Sequence, residues 1–187
     1  MTILFIKNMV CNRCIMVVKN ELDKLGLDVK NIRLGEVTLA KETTPEEKKK
    51  LEEALIQLGF EVIDDKKSRI IEKIKNVIID LVHHRDNDTK TNLSDLLRNK
   101  LHHDYNYLSN LFSEVEGITI EKYFIAHKIE KVKELLVYDE LSLSEIAFRL
   151  NYSSVAYLSN QFKKVTGLSP SHFKQIREDK RKPLDEV

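Results

Sequence analysis

Tryptophan is absent, and the 187 residues contain only three prolines, five glycines and two cysteines. So little proline and glycine excludes long irregular linkers and low-complexity disorder. Two cysteines three positions apart, Cys11 and Cys14, exclude a framework of structural disulfides. In a chain expected to be cytoplasmic, their C-x-x-C spacing points to metal or thiol redox chemistry. No apolar run approaches the roughly 20 residues that span a bilayer. The opening stretch MTILFIKNMV carries Lys7 and lacks a small-residue cleavage site, so it reads as a strand and not as a signal peptide. Charge of one sign is also missing: the formal net charge is +1, too small to announce a polyanionic partner by itself. No pairing of nucleophile with base and no phosphate-cradling glycine loop is visible, so an enzyme is not expected. The length allows two small domains, each with a core.

Residues 2–8 form an apolar run of strand length. Ile15, Val18, Leu22 and Leu25 then recur at helical spacing up to Gly26. Val29, Ile32 and Leu34, followed by Val37 and Leu39, flank Gly35 as a hairpin. Thr44-Pro45-Glu46-Glu47 opens a second helix, with a capping hydroxyl, a proline suited to the first turn and acidic groups at the positive dipole end. Phe60–Ile63 is a last strand. The predicted order is β-α-β-β-α-β within residues 1–64, a ferredoxin-like domain. The charged stretch 65–69 is expected to be a linker. An all-α domain is expected over 70–178, and a frayed tail over 179–187. The fold class is therefore α+β with two domains.

Cys11 and Cys14 lie where the first strand hands over to the first helix. Free backbone N–H groups, the helix dipole and Arg13 would all favour thiolates there. Two thiolates without histidine or carboxylate support suit a soft ion of low coordination number, Cu(I) above all. Zn(II) and Cd(II) suit the pair less well, because all six histidines follow residue 82. Met9-x-Cys11-x-x-Cys14 after a first strand, with Leu58-Gly59-Phe60-Glu61-Val62 at the far end, resembles the heavy-metal-associated domain of copper chaperones and copper pumps. The resemblance implies Cys11 and Cys14 as ligands, Met9 packed beneath the loop and Phe60 near the site. Where that family usually has glycine before the methionine and threonine after it, this chain has Asn8 and Val10. A metal-free dimerisation or partner-docking module and a thiol redox sensor are the alternative roles for this domain.

The second half holds one pattern twice, fifty positions apart. Tyr107-Leu108-Ser109-Asn110-x-Phe112 answers to Tyr157-Leu158-Ser159-Asn160-x-Phe162, and Val115-x-Gly117 to Val165-x-Gly167. Each copy reads as a helix, a polar break and a second helix ended by glycine, the layout of a helix-turn-helix. A long helix from about Ile120 to Tyr138 joins them. In the second copy Val155, Leu158 and Phe162 are expected to be buried, while 156, 160 and 163 point outward. The tyrosines, leucines and phenylalanines are expected in the core. His83-His84 and His102-His103 are expected at surfaces or turns.

Ser144-Glu145-Ile146-Ala147, Asn151-Tyr152, Tyr157-Leu158-Ser159, Phe162-Lys163-Lys164, Gly167-x-Ser169-Pro170 and Phe173 together resemble the AraC-type DNA-binding domain. Lys128-Ile129-Glu130 and Lys133-Glu134-Leu135-Leu136 are similar to its connecting helix. The resemblance spans roughly 70–177 and implies seven helices, with two recognition helices entering consecutive major grooves of duplex DNA. By position, Asn106, Ser109 and Asn110 in the first unit and Ala156, Ser159 and Asn160 in the second become candidate base contacts. Lys163 and Lys164 become phosphate contacts. The stretch 141–182 holds 8 basic and 3 acidic residues, against 6 and 9 in 93–140, so phosphate attraction should come mainly from the second unit. The function expected is a sequence-specific transcription regulator responsive to a soft metal ion. It would act as a monomer or homodimer, with RNA polymerase and a metal-donating protein as further partners, and without a membrane.

Overall fold

The computed structural model describes residues 2–63, 65–84 and 92–176. The tail expected to fray, 179–187, lies outside the described residues. The chain divides into two compact units, Met1–Asn76 and Val77–Val187.

The first unit contains β1 (Thr2–Lys7), α1 (Asn12–Lys24), β2 (Val29–Arg33), β3 (Glu36–Leu39), α2 (Pro45–Gln57) and β4 (Glu61–Ile63). That is the element order read from the sequence. The strands form one antiparallel sheet in the order β2-β3-β1-β4. Alternation along β1 separates its faces: Leu4 and Ile6 are buried, while Ile3 is half exposed. Leu4 and Ile6 share a core with Val18 and Leu22 of α1, Leu51 and Leu55 of α2, and Met9, Val37, Leu39 and Phe60. The start of α2 is set by a complete capping box. Thr44 Oγ1 accepts from the Glu47 N–H, and the Glu47 carboxylate accepts from the Thr44 N–H at 2.7 Å.

Residues 65–69 differ from expectation. They are not a linker: α3 runs over Lys66–Ile79 and continues as a π-helical turn, Asp80–His84. Asp65 Oδ1 accepts from the Ser68 N–H at 2.8 Å, so the acidic residue that suggests a solvated linker serves instead as a helix cap. The first part of α3 reaches the sheet from the side opposite the α1–α2 core. Arg69 and Lys73 lie 4.7 and 5.0 Å from the Phe5 ring centroid. Asn76 Nδ2 donates to the Leu34 carbonyl at 3.2 Å. Gly35, at φ +73°, leaves room for that amide, since a Cβ there would lie 2.1 Å from Asn76 Nδ2.

The second unit adds α4 (Leu93–Leu101), α5 (Tyr105–Glu116), α6 (Ile120–Tyr138), α7 (Leu143–Arg149), α8 (Val155–Thr166) and α9 (Pro170–Ile176). Helix α6 packs against α5, α7, α8 and α9 and against the π turn, so it bridges both copies of the repeat. Leu108, Phe112 and Ile120 are fully buried around the first copy. Ile129, Val132, Ile146, Ala147, Leu158, Phe162 and Phe173 form a core around the second. Phe162 meets Phe173 edge-on at 5.5 Å, so α9 closes this core against α6 and α8. Deleting such a buried ring costs about 3–5 kcal/mol. No helix among the described residues is long and apolar enough to cross a membrane.

Candidate nucleic-acid interface and thiol pair

Helices α5 and α8 are built alike because their end signals are alike. Asp104 Oδ1 caps α5 by accepting from the Asn106 N–H at 2.8 Å, and Ser154 Oγ caps α8 by accepting from the Tyr157 N–H at 3.1 Å. Both helices end at a glycine in the left-handed region, Gly117 at φ 70° and Gly167 at φ 78°. The preceding helix α7 starts with a second capping box, in which Ser142 makes the bonds to Glu145. These hydrogen bonds hold the Glu145 carboxyl below the usual range.

The two turns differ in one respect. In the first, His102 is the left-handed residue at φ 54°, directly after α4. In the second, α7 stops two residues earlier in the repeat, Leu150 caps it and Asn151 takes the left-handed conformation at φ 52°, so that turn spans 150–154 against 102–104 in the first. Within that turn Tyr152 is buried. Its hydroxyl donates to Gln161 Oε1 on α8 at 2.8 Å, and the Lys128 ammonium of α6 sits 3.8 Å from its ring centroid. Burial pushes the Lys128 ammonium down to about 8 and raises the Tyr152 phenol.

The predicted contact residues fall on the outer faces of these helices, with one qualification. Asn106, Asn110, Ala156, Asn160, Lys163 and Lys164 are exposed. Ser109 and Ser159 are only half exposed. At about 100° per residue, Asn160 stands opposite the buried Leu158 and Phe162, while Ser159 is turned about 100° from that outward direction. Four aromatics expected in the core are not there: Tyr107, Tyr138, Phe148 and Tyr157 are 46%, 61%, 75% and 53% exposed. The sequence pattern groups residues by apolar character, whereas the helices turn these four away from the interior. In the first unit the places of the two lysines are taken by Ser113 and Glu114.

Of the paired histidines, His84 and His102 are exposed and His103 lies in the turn before α5, stacked on Tyr107 at 5.4 Å. His83 departs from expectation: it is half-buried, with its Nε2 3.3 Å from Nδ1 of the fully buried His127. His127 carries no sequence signal, because it lies singly on a long helix.

In the first unit Cys11 is the residue capping α1, and helix begins at Asn12, two residues earlier than the apolar pattern indicates. The two Sγ atoms lie 3.4 Å apart, and both cysteines are half-buried. Burial outweighs the backbone N–H groups and pushes the Cys14 thiol up, opposite to the direction expected. Met9 is fully buried beneath the loop, and Phe60 is in the core. Asn8 takes φ 69° and its Nδ2 donates to the Gly59 carbonyl at 2.9 Å, so it meets the backbone demand of a glycine while tying the loop to the end of α2. No third His, Cys, Asp or Glu joins the thiols in a metal-binding group among the described residues.

Residues 97–176 match the helix-turn-helix domain family. An HTH-type transcriptional regulator of Bacillus subtilis, YtdP, is 28% identical over 60% of this chain and 15% of its own length. The xylose operon regulatory protein of Escherichia coli is 32% identical over 38% of this chain and 18% of its own. The chain thus spans less than a fifth of these curated relatives. Among solved structures, the C-terminal domain of AraT, a response regulator from Geobacillus stearothermophilus, superposes with a TM-score of 0.51 at 27% identity. It covers 63% of this chain and 95% of that one. The matched segment contains α5 and α8 with their paired caps, glycine stops and outward asparagines. Residues 97–176 are an AraC-type helix-turn-helix DNA-binding domain.

Proposed function

We propose that this chain is a sequence-specific transcription regulator that places α5 and α8 in successive major grooves of duplex DNA. The observation carrying this reading is the equivalence of Asn110 and Asn160. Each is exposed at the middle of its helix, opposite a fully buried leucine and phenylalanine. An asparagine amide can bond both N6 and N7 of adenine. Asn106 and Ala156 lie one turn earlier on the same faces, and Ser109 and Ser159 lie at their margins. Lys163 and Lys164 supply phosphate contacts from the second unit. RNA polymerase is the partner such a regulator would address.

The first unit is read as a ferredoxin-like, heavy-metal-associated-like module in which Cys11 and Cys14 hold one soft ion, Cu(I) in preference to Zn(II) or Cd(II). The donor set supports this choice. Two thiolates suffice for a two-coordinate soft ion, while tetrahedral zinc needs two further ligands. The two Sγ atoms lie 3.4 Å apart, close enough for one ion to be held by both. Bound metal would supply charge neutralisation and crosslink the loop to the first turn of α1.

The test is a titration of the reduced full-length protein with Cu(I), Zn(II) and Cd(II), following both metal uptake and binding to duplex DNA. Uptake of one Cu(I) with altered DNA affinity, lost in Cys11→Ser/Cys14→Ser, supports the regulator reading. Unchanged affinity with and without copper favours a metal-free docking or dimerisation module.

A further inference from the structure

The outward faces of the recognition helices include two residues that the repeat pattern assigns to the core. Tyr107 and Tyr157 occupy the same position of α5 and α8 and are 46% and 53% exposed. Taking the direction opposite Leu158 and Phe162 as the centre of the outer face, Asn160 lies at that centre. Ala156 and Lys163 then flank it on one side, about 40° and 60° away. Lys164 and Tyr157 flank it on the other side at the same angles. Tyr157 therefore shares a longitudinal stripe with Lys164, two turns apart, on the margin where a groove-bound helix faces the sugar–phosphate strand. The half-buried Ser159 is turned further from the centre, and its side chain is shorter.

Both rings are also held from one side. His103 packs on Tyr107 with centroids 5.4 Å apart, and Tyr152 packs on Tyr157 at 6.0 Å. Each supporting residue comes from the turn before its recognition helix. Tyr152 is itself fixed by Lys128 and by Gln161 of the same helix as Tyr157. A phenol steadied by a neighbouring ring loses little rotamer entropy on contact, and its hydroxyl can donate to an anionic oxygen.

We propose that the hydroxyls of Tyr107 and Tyr157 donate to phosphate oxygens of the bound duplex, one on each recognition helix, at the margin of the base-reading stripe. This rests on the reading of α5 and α8 as groove-bound helices. It assigns the tyrosines a positioning contact on the sugar–phosphate strand, beside the candidate base contacts of the same helices.

The experiment uses the full-length protein, duplexes of about 30 base pairs selected by it from a random pool, and one shuffled duplex of the same composition. Affinity is measured over a range of salt concentrations for Tyr107→Phe, Tyr157→Phe and Lys164→Ala, with thermal unfolding of each. Phenylalanine keeps the ring contact and removes only the hydroxyl. Each phenylalanine variant is expected to bind both duplexes about tenfold more weakly, by the same factor for each, with an unchanged salt slope, because a hydrogen bond to a charged oxygen is lost without loss of a cation. Lys164→Ala lowers the slope. A phenylalanine variant that binds within twofold of wild type overturns the assignment for that tyrosine. A loss confined to the selected duplex overturns it as well, because that outcome marks a base contact. Should the wild-type protein select no duplex and bind none, the DNA reading itself has failed, and that outcome is distinct from either of the others.

Discussion

The Lys128 ammonium of α6 lies 3.8 Å from the centroid of the Tyr152 ring, in the turn before the second recognition helix. Two effects oppose each other there. Burial removes water from the ammonium and lowers it to about 8, while the negative face of the ring favours the charged form. The unfolded lysine titrates near 10.5. Between about pH 8 and 10.5 the unfolded chain therefore binds more protons than the folded one at this site, and the site's contribution to stability rises with pH. Below that window both states are protonated and the cost of burying the charge is fully present. Comparing unfolding of wild type and Lys128→Met across pH 7–10.5 isolates this effect. The difference in their stabilities should change in favour of wild type as pH rises. A constant difference would show that Lys128 does not titrate in this range.

Lys163 and Lys164 are exposed on α8, whereas α5 carries Ser113 and Glu114 at the equivalent places. Each phosphate neutralised contributes about 0.9 to the slope of log affinity against log salt. Lys163→Ala/Lys164→Ala should lower that slope by nearly two for any duplex sequence. Substituting Ser113 and Glu114 with lysine should raise it. An unchanged slope in the double alanine variant would remove both residues from the interface.

Gly167 ends α8 at φ 78° with open space around its Cα. Sterics with neighbours therefore do not decide the outcome of Gly167→Ala; backbone strain does. The substitution should lower stability by about 1 kcal/mol, and chemical denaturation would read it directly. Gly117, with the same environment and φ 70°, should respond alike. A neutral result at both would mean that the left-handed caps contribute nothing to the helix ends.

Much of this architecture was legible because local signals and tertiary packing agree. Thr44 caps α2 as its sequence announces, and α6 runs over the very residues its pattern delimits. The signals failed where a side chain's role depends on a partner distant in sequence. Asp65 looks like linker charge until Ser68 is seen to use it as a cap. Cys14 looks activated by α1 until its burial is counted, and His127 has no meaning without His83. Tyr107 and Tyr157 are a different case. Their exposure follows from their angular offset from Leu108 and Leu158, which periodicity contains but which residue type obscures.

The most direct measurement is methylation and hydroxyl-radical interference on one selected duplex, comparing wild type with Asn110→Ala and Asn160→Ala. Two recognition helices on one DNA face should each lose contacts at a separate cluster, and the two clusters should be centred about ten base pairs apart. Loss at the same positions in both variants, or no loss in either, would contradict the placement of α5 and α8 in successive major grooves.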